Sequence, residues 1–297
     1  MEARDDDRIS KLSDDILHVI VSLLSEKEGL RVRSLSRGWR YVPPPQVFNL
    51  CFDSETEYGK FIGRYNRQYH SKSKEFVTKV SQVLRNHRVK KFAKLHSLQV
   101  SFFHYDEYAS EIDEWVSLAA SMAVNKVEFK FADIFKIPPD ENDPITHRFY
   151  RFPWARIIST RPNLDLEYLC LESCILKPVP PDLGLGLSSL KTLNLGYLVL
   201  DQDDFNKIAS ACLKLECLTL CRCTLPQTFC IGGGPGGTTL DHLKSLALDI
   251  HGGYPKIRKL IKIHDLVNLK NFECRGCGID FSIRAFLPWR DVSSGVI

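Results

Sequence analysis

Cys212–Leu225 reads CLKLECLTLCRCTL, and within it Leu215, Leu218, Leu220 and Leu225 fall at positions 1, 4, 6 and 11 of a unit beginning at Leu215. The same apolar spacing recurs in LEYLCLESCIL from Leu166, LKTLNLGYLVL from Leu190, LKSLALDI from Leu243 and LKNFECRGCGI from Leu269. Two looser copies, LHSLQVSFF from Leu95 and VNKVEFKF from Val124, precede them. Successive starts lie 29, 42, 24, 25, 28 and 26 residues apart. A near-constant period of this kind implies a stack of like units, none of which can bury its apolar side alone.

All but one of these intervals fall in or near the roughly 20–29 residues of leucine-rich repeats, so an α/β solenoid of about seven repeats is expected. The 42-residue interval is expected to carry a long excursion around Ile137–Pro144, IPPDENDP. In the pattern L-x-x-L-x-L-x-x-N/C-x-L, positions one, four and six point into the core, and strand alternation turns three, five and seven toward the concave side. The substrate-binding residues expected on that side are Lys126, Glu128, Tyr168, Glu172, Asn194, Thr219, Asp249, Glu273 and Arg275. Tyr168 beside Glu172 offers an aromatic anchor with a charge nearby.

The period also assigns the cysteines. Position nine falls on Cys174, Cys223 and Cys277, expected to turn the backbone inward behind the strand, whereas Cys217 and Cys221 fall at positions three and seven. Cys212 closes a helical stretch, DDFNKIASAC, with Phe205, Ile208 and Ala209 on one face. Zinc is the competing reading, because Cys274–Cys277 is a C-x-x-C and Cys221-Arg-Cys223 lies in an earlier unit. Alternate strand positions point to opposite faces, however, and no second C-x-x-C of matching spacing occurs. Structural thiols are expected, with no metal and no cofactor. Disulfides are the least favoured reading, because Met1 is followed by acids rather than a targeting segment and a reducing cytoplasmic or nuclear setting is expected. The apolar run Ile16–Leu24 is far short of the roughly 20 residues a bilayer requires, so no membrane partner is expected.

Residues 8–42 read RISKLSDDILHVIVSLLSEKEGLRVRSLSRGWRYV. Ser13 is placed to cap a helix whose first turn holds Asp14 and Asp15, and Ile16, Leu17, Ile20, Val21 and Leu24 form one apolar stripe. A second helical run from Lys27 carries Leu30, Leu35 and Trp39 and stops at Pro43-Pro44-Pro45. On these residues alone the stretch reads either as a helical cap for the first repeat or as a separate docking module.

The stretch DRISKLSDDILHVIVSLL…KEGLRVRSLSRGWRYV resembles an F-box, the short helical motif that docks onto the Skp-type adaptor of SCF ubiquitin ligases. Downstream, EFVTKVSQVL, EIDEWVSLAASMAVNKVEFKF, LEYLCLESCIL and LVNLKNFECRGCGIDFS resemble the body of plant F-box proteins with leucine-rich repeats, of the FBD-associated type but without the FBD domain. The resemblance implies that Leu12, Ile16, Leu17, Ile20, Val21, Leu24, Leu35 and Trp39 build or contact the adaptor interface. Ser13 and Ser25 replace prolines usual in the motif, and Gly38 stands where a basic residue is usual.

Enzymatic signatures are absent: there is no G-x-S-x-G, no H-E-x-x-H and no phosphate-binding loop, and Gly232–Gly237, GGGPGG, reads as a flexible loop. Lys60–Lys94 holds eleven Lys and Arg against one acid, Glu75, within a chain whose net charge is +4. Nucleic acid is the weaker reading of this segment, because Phe76, Val77, Val80, Val83 and Leu84 share one helical face and leave Lys79 and Arg85 to solvent. The expected organisation is an F-box at 8–45, a basic linker and first convex helix at 46–90, the repeat solenoid at 91–280, and a C-terminal cap or truncated tail at 281–297. The resemblance implies a non-catalytic substrate-recognition subunit that binds the Skp-type adaptor, a cullin through it, and an unknown protein substrate. The alternative is a repeat scaffold or nucleic-acid-binding protein whose N-terminal helices serve only as a cap.

Overall fold

Leu218 and Leu220 are 1% and 0% exposed, while Cys217, Thr219 and Cys221 between and around them reach solvent in part. This alternation repeats along the chain and builds a parallel sheet whose apolar side faces a layer of helices. The computed structural model describes residues 47–58, 67–89, 94–102, 106–131, 149–158, 166–233, 237–251, 258–277 and 279–284. It also describes Leu12, Ser13, Ile16, Leu17, Ile20, Val21, Arg31, Val32 and Trp39.

The main sheet contains β1 (Val47–Asp53), β2 (Lys94–Phe102), β3 (Lys126–Phe131), β4 (Tyr168–Glu172), β5 (Thr192–Gly196), β6 (Cys217–Cys221), β8 (Ser245–His251) and β10 (Asn271–Cys277), in that spatial order. Every neighbouring pair is parallel. Parallel strands need a crossover. The early crossovers are helical: α1 (Ser54–Tyr58) and α2 (Arg67–Val89) after β1, α3 (Ala109–Ser121) after β2, α4 (Trp154–Ile158) after β3, α5 (Gly184–Leu187) after β4 and α6 (Gln202–Ala211) after β5.

The helices bury the stripes that their spacing predicts. On α2, Phe76, Val77, Val80 and Leu84 are buried, while Lys79 pairs with Glu57 at 2.5 Å and Arg85 meets both carboxylate oxygens of Glu114 at 2.8 and 2.5 Å. Helix α3 docks beside it, with Trp115 Nε1 donating to Ser81 Oγ at 2.9 Å inside the core. Asp201 caps α6 by accepting from the Asp204 N–H at 2.8 Å.

Two features of the sheets depart from the sequence expectation. The sheet starts earlier than the repeats do, because VFNLCFD, inside the segment expected as a basic linker, forms β1 and pairs with β2. Val47, Leu50 and Phe52 stand at the spacing of positions one, four and six, with valine in place of the leading leucine as at Val124, and Leu50 and Phe52 are buried. The later crossovers carry strands rather than helices among the described residues, β7 (Thr228–Gly232) after β6 and β9 (Lys259–His264) after β8; with β11 (Ile279–Arg284), which follows β10, they form a second parallel sheet in the order β11-β9-β7. Part of the expected C-terminal cap is therefore a sheet strand. Gly232 is not a flexible loop residue, for its φ is +97° and a Cβ there would lie 1.8 Å from the His264 carbonyl oxygen. Close approach of β9 demands glycine at that point.

After the strand, the turn is made one residue earlier than expected. Ser173, Tyr197 and Arg222, at position eight, have φ of 54, 53 and 51°, and Gly276 has 143°. The N–H groups of Ser173 and Tyr197 donate to Gly196 O and Cys221 O, each at 2.9 Å. Position nine then folds under the strand: Cys174 and Cys223 are buried, and Cys223 Sγ donates to Leu195 O at 3.4 Å. Cys277 differs, being still a strand residue opposite His251.

At the N-terminus, Ile16, Leu17, Ile20, Val21, Arg31, Val32 and Trp39 are helical, and the Leu17 N–H donates to Ser13 O at 3.0 Å. Among the described residues Leu17, Val21 and Trp39 form an apolar cluster apart from the main core, with Leu12, Ile20 and Val32 packed against it. The excursion expected at 137–144 lies outside the described residues. Among the described residues no helix is long and apolar enough to cross a membrane.

Candidate functional site: the open face of the sheet

Strand register assembles the predicted positions into three rows. The first runs Lys126, Tyr168, Thr192, Cys217, Ser245, Asn271 from β3 to β10; the second runs Glu128, Cys170, Asn194, Thr219, Ala247, Glu273; the third runs Lys130, Glu172, Gly196, Cys221, Asp249, Arg275. Strand β2 extends them with Ser97, Gln99 and Ser101, and β1 with Asn49, Cys51 and Asp53. All nine expected substrate-binding residues therefore lie on one face, opposite the helices. They do not form one cluster. Lys126, Glu128, Tyr168, Glu172 and Asn194 gather on β3–β5, Thr219 lies on β6, and Asp249, Glu273 and Arg275 lie on β8 and β10.

The first group is tied together. Lys126 Nζ sits 4.5 Å from the centroid of the Tyr168 ring and 3.6 Å from Glu128. Asn194 Nδ2 donates to Tyr168 OH at 2.8 Å. Lys130, which sequence reasoning put on this face but not among the binding residues, bridges Glu128 at 2.7 Å and Glu172 at 3.7 Å. Glu172 lies across β5, and Gly196 makes this possible, since a Cβ at 196 would come within 2.8 Å of Glu172 Cγ. Cys170 is on the open face yet buried, with Glu172 Oε1 3.9 Å from its sulfur.

Burial and charge shape the titration of these groups. Burial, with the Cys170 and Glu128 charges, pushes the Tyr168 phenol up to about 12. Burial, with Glu172 and Glu128, pushes the Cys170 thiol up to about 12. Burial raises the Glu172 carboxyl although Lys130 opposes it. Lys130 is raised too, because its hydrogen bond to Glu128 and the charges of Glu172 and Glu128 outweigh its own desolvation. At the other end, Asp249 Oδ2 meets Cys221 Sγ at 3.7 Å and Arg222 Nε at 3.6 Å.

Among the described residues no three His, Cys, Asp or Glu side chains gather at metal-binding distances. A cleft of about 600 Å³, which sequence reasoning missed, lies on the helical side between α3 and the Phe149–Ala155 segment, walled by Phe149, Pro153, Ile175 and Pro178. Its polar groups are already engaged: Tyr150 OH donates to Asp113 at 2.8 Å, and Arg151 donates to the Lys177 carbonyl.

The expected adaptor-binding residues separate by burial. Leu17, Val21 and Trp39 are interior to their cluster, Leu12 and Ile20 are partly buried, and Ile16 is 48% exposed; Leu24 and Leu35 lie outside the described residues.

A family model described as the At1g61320/AtMIF1 LRR domain matches residues 83–272. Among curated relatives, all from Arabidopsis thaliana, the F-box protein At1g80960 is 27% identical over 75% of this chain and 41% of its own length. The F-box protein At5g03100 is 27% identical over 73% of this chain and 57% of its own. The F-box/LRR-repeat protein At3g03360 is 24% identical over 79% and 42%. The chain thus spans about half the length of the relatives it matches.

Proposed function

The chain belongs to the At1g61320/AtMIF1 leucine-rich-repeat domain family, and we propose that it is a non-catalytic, substrate-recognition subunit of an SCF-type ubiquitin ligase. In this reading residues 8–45 are an F-box that binds a Skp-type adaptor and, through it, a cullin. Seven repeats starting between Leu95 and Leu269 present a protein substrate on the open face of the sheet, in the cytoplasm or nucleus. The mechanism is proximity: holding substrate lysines near the ubiquitin-loaded enzyme raises their effective concentration without any catalytic group from this chain.

The observation that carries the reading is the N-terminal apolar cluster, which among the described residues stands apart from the main core, with Ile16 48% exposed beside it. An exposed isoleucine beside such a cluster is suited to an apolar docking surface. The F-box names of the relatives support the same reading.

Co-expression with a Skp-type adaptor is the test. The adaptor is expected to co-purify with the chain, and Ile16→Asp is expected to abolish this by placing a charge in a desolvated interface, at a cost of several kcal/mol. Leu17→Asp is the poorer probe, because Leu17 is 1% exposed and its loss would unfold the cluster itself. Undiminished co-purification of Ile16→Asp removes the F-box reading and leaves the N-terminal helices as a cap.

A further inference from the structure

Units crossed by helices and units crossed by strands meet between α6 and β7, and one side chain makes the joint. Just before it the two chain segments bond backbone to backbone: Thr224 N–H donates to Leu198 O at 2.7 Å, and Leu200 N–H donates to Thr224 O at 3.0 Å. Asp201 then caps α6, and from there on the backbone groups serve the helix. Among the described residues β7 is the last strand of the second sheet on this side. Leu260 N–H of β9 donates to Gln227 O at 2.7 Å. Alternation along the strand gives Phe229 and Ile231 to the same neighbour and turns the N–H and C=O of Cys230 the other way. Cys230 is 7% exposed, so these two groups have little water to bond.

Gln202, the first residue of α6, meets both of them. Its Oε1 accepts from Cys230 N–H at 2.7 Å and its Nε2 donates to Cys230 O at 3.0 Å, the pair of bonds that a residue of a neighbouring strand would make. The same Nε2 donates to Asn206 Oδ1 at 2.9 Å, one turn along the helix, which leaves the carboxamide a single orientation. Around this contact Phe205 packs on Phe229 with ring centroids 4.9 Å apart, and Thr238 Oγ1 donates to Asn206 O at 3.5 Å. The first turn of α6 is thus fastened to β7 and to the chain beyond it.

We propose that the Gln202 carboxamide serves as the outer strand of the second sheet: it closes the edge of β7 and locks α6 to that sheet, so that the two open as one unit. An apolar side chain of similar size keeps the packing but leaves both Cys230 groups without this partner. A carboxylate keeps the acceptor and turns a second acceptor toward the Cys230 carbonyl. The lock needs a donor and an acceptor on one side chain, and it is independent of the ligase reading.

Hydrogen–deuterium exchange of the full chain, read by mass spectrometry on peptides covering β7, the first turn of α6 and, as a reference, β2, tests this in Gln202→Leu and Gln202→Glu. At neutral pH both variants are expected to exchange β7 and the first turn of α6 at least about tenfold faster than the wild type, with β2 unchanged. At about pH 4, where a partly buried Glu is largely protonated, its carboxyl again offers one donor and one acceptor. Gln202→Glu is expected to regain wild-type protection there, and Gln202→Leu is not. Wild-type protection of β7 in Gln202→Leu at neutral pH, or no recovery of Gln202→Glu in acid, overturns the proposal. Should Gln202→Leu fail to fold, the acid recovery of Gln202→Glu decides alone.

Discussion

The ten cysteines illustrate how position within a repeat decides the chemistry of one residue type. Cys174 and Cys223 sit under the strand ends, Cys212 caps the inner face of α6, and Cys170 is covered although it faces the open side. Burial pushes the thiols of Cys170, Cys212 and Cys223 up to about 12 and raises Cys174 as well. Because the thiolate is the reactive form, these four are expected to resist alkylation at pH 8 in the native protein and to react fully in guanidinium, as mass spectrometry of the labelled peptides would reveal. Labelling of Cys174 or Cys223 at the rate of a free thiol would contradict their placement. A chelator is expected to leave the melting temperature unchanged; stoichiometric zinc by elemental analysis would show that Cys274 and Cys277 belong to a metal site instead. These residues were legible because counting nine from a leading leucine needs only the period. Cys170 was less so, since it lies on the open face and its neighbour Glu172 leans over Gly196 of the adjoining strand, which no local pattern records.

At the scale of elements, strands were legible wherever a leucine-led unit announced them, and missed where none did. Strand β1 carries the right spacing with valine in place of the leading leucine, β7 and β9 occupy crossovers that earlier in the chain are helices, and β11 follows the last strand of the main sheet. KLIKIH at Lys259–His264 does alternate, with Ile261 and Ile263 buried, but a six-residue run gives a weak signal beside five strong repeats. The tight points of these elements are glycines and left-handed residues. Gly232→Ala forces a Cβ into the His264 carbonyl at positive φ, and a loss of about 2 kcal/mol or more is expected in urea unfolding. Ala123, between α3 and β3, has a φ of 50°, so Ala123→Gly is expected to be neutral or stabilising by up to about 1 kcal/mol. A Gly232→Ala protein as stable as the wild type would mean that β7 and β9 do not approach as described.

For the whole molecule, the repeat period specified the face but not its content. Register brought Lys126, Glu128, Tyr168, Glu172 and Asn194 together as counted, yet the bridging role of Lys130 and the lie of Glu172 across Gly196 emerge only when strands are laid side by side. The raised Lys130 adds stability that is present below its ordinary pKa of 10.5 and lost as pH rises through its folded value, so the β3–β4 ion pairs are expected to loosen only in strong alkali. Replacing Lys130 with Met should remove that alkaline step from a pH series of melting curves while leaving adaptor binding untouched; a step that persists would mean the ion pairs are not its source. The central claim concerns the other end of the chain, where apolar residues around Ile16 are proposed to carry the link to a ligase. Titration calorimetry of the full chain with a purified Skp-type adaptor tests it most directly. A saturable one-to-one complex is expected, weakened by roughly a hundredfold or more in Ile16→Asp at unchanged melting temperature, in keeping with an interface hot spot. No binding by the wild type, or equal binding by Ile16→Asp, would contradict the account.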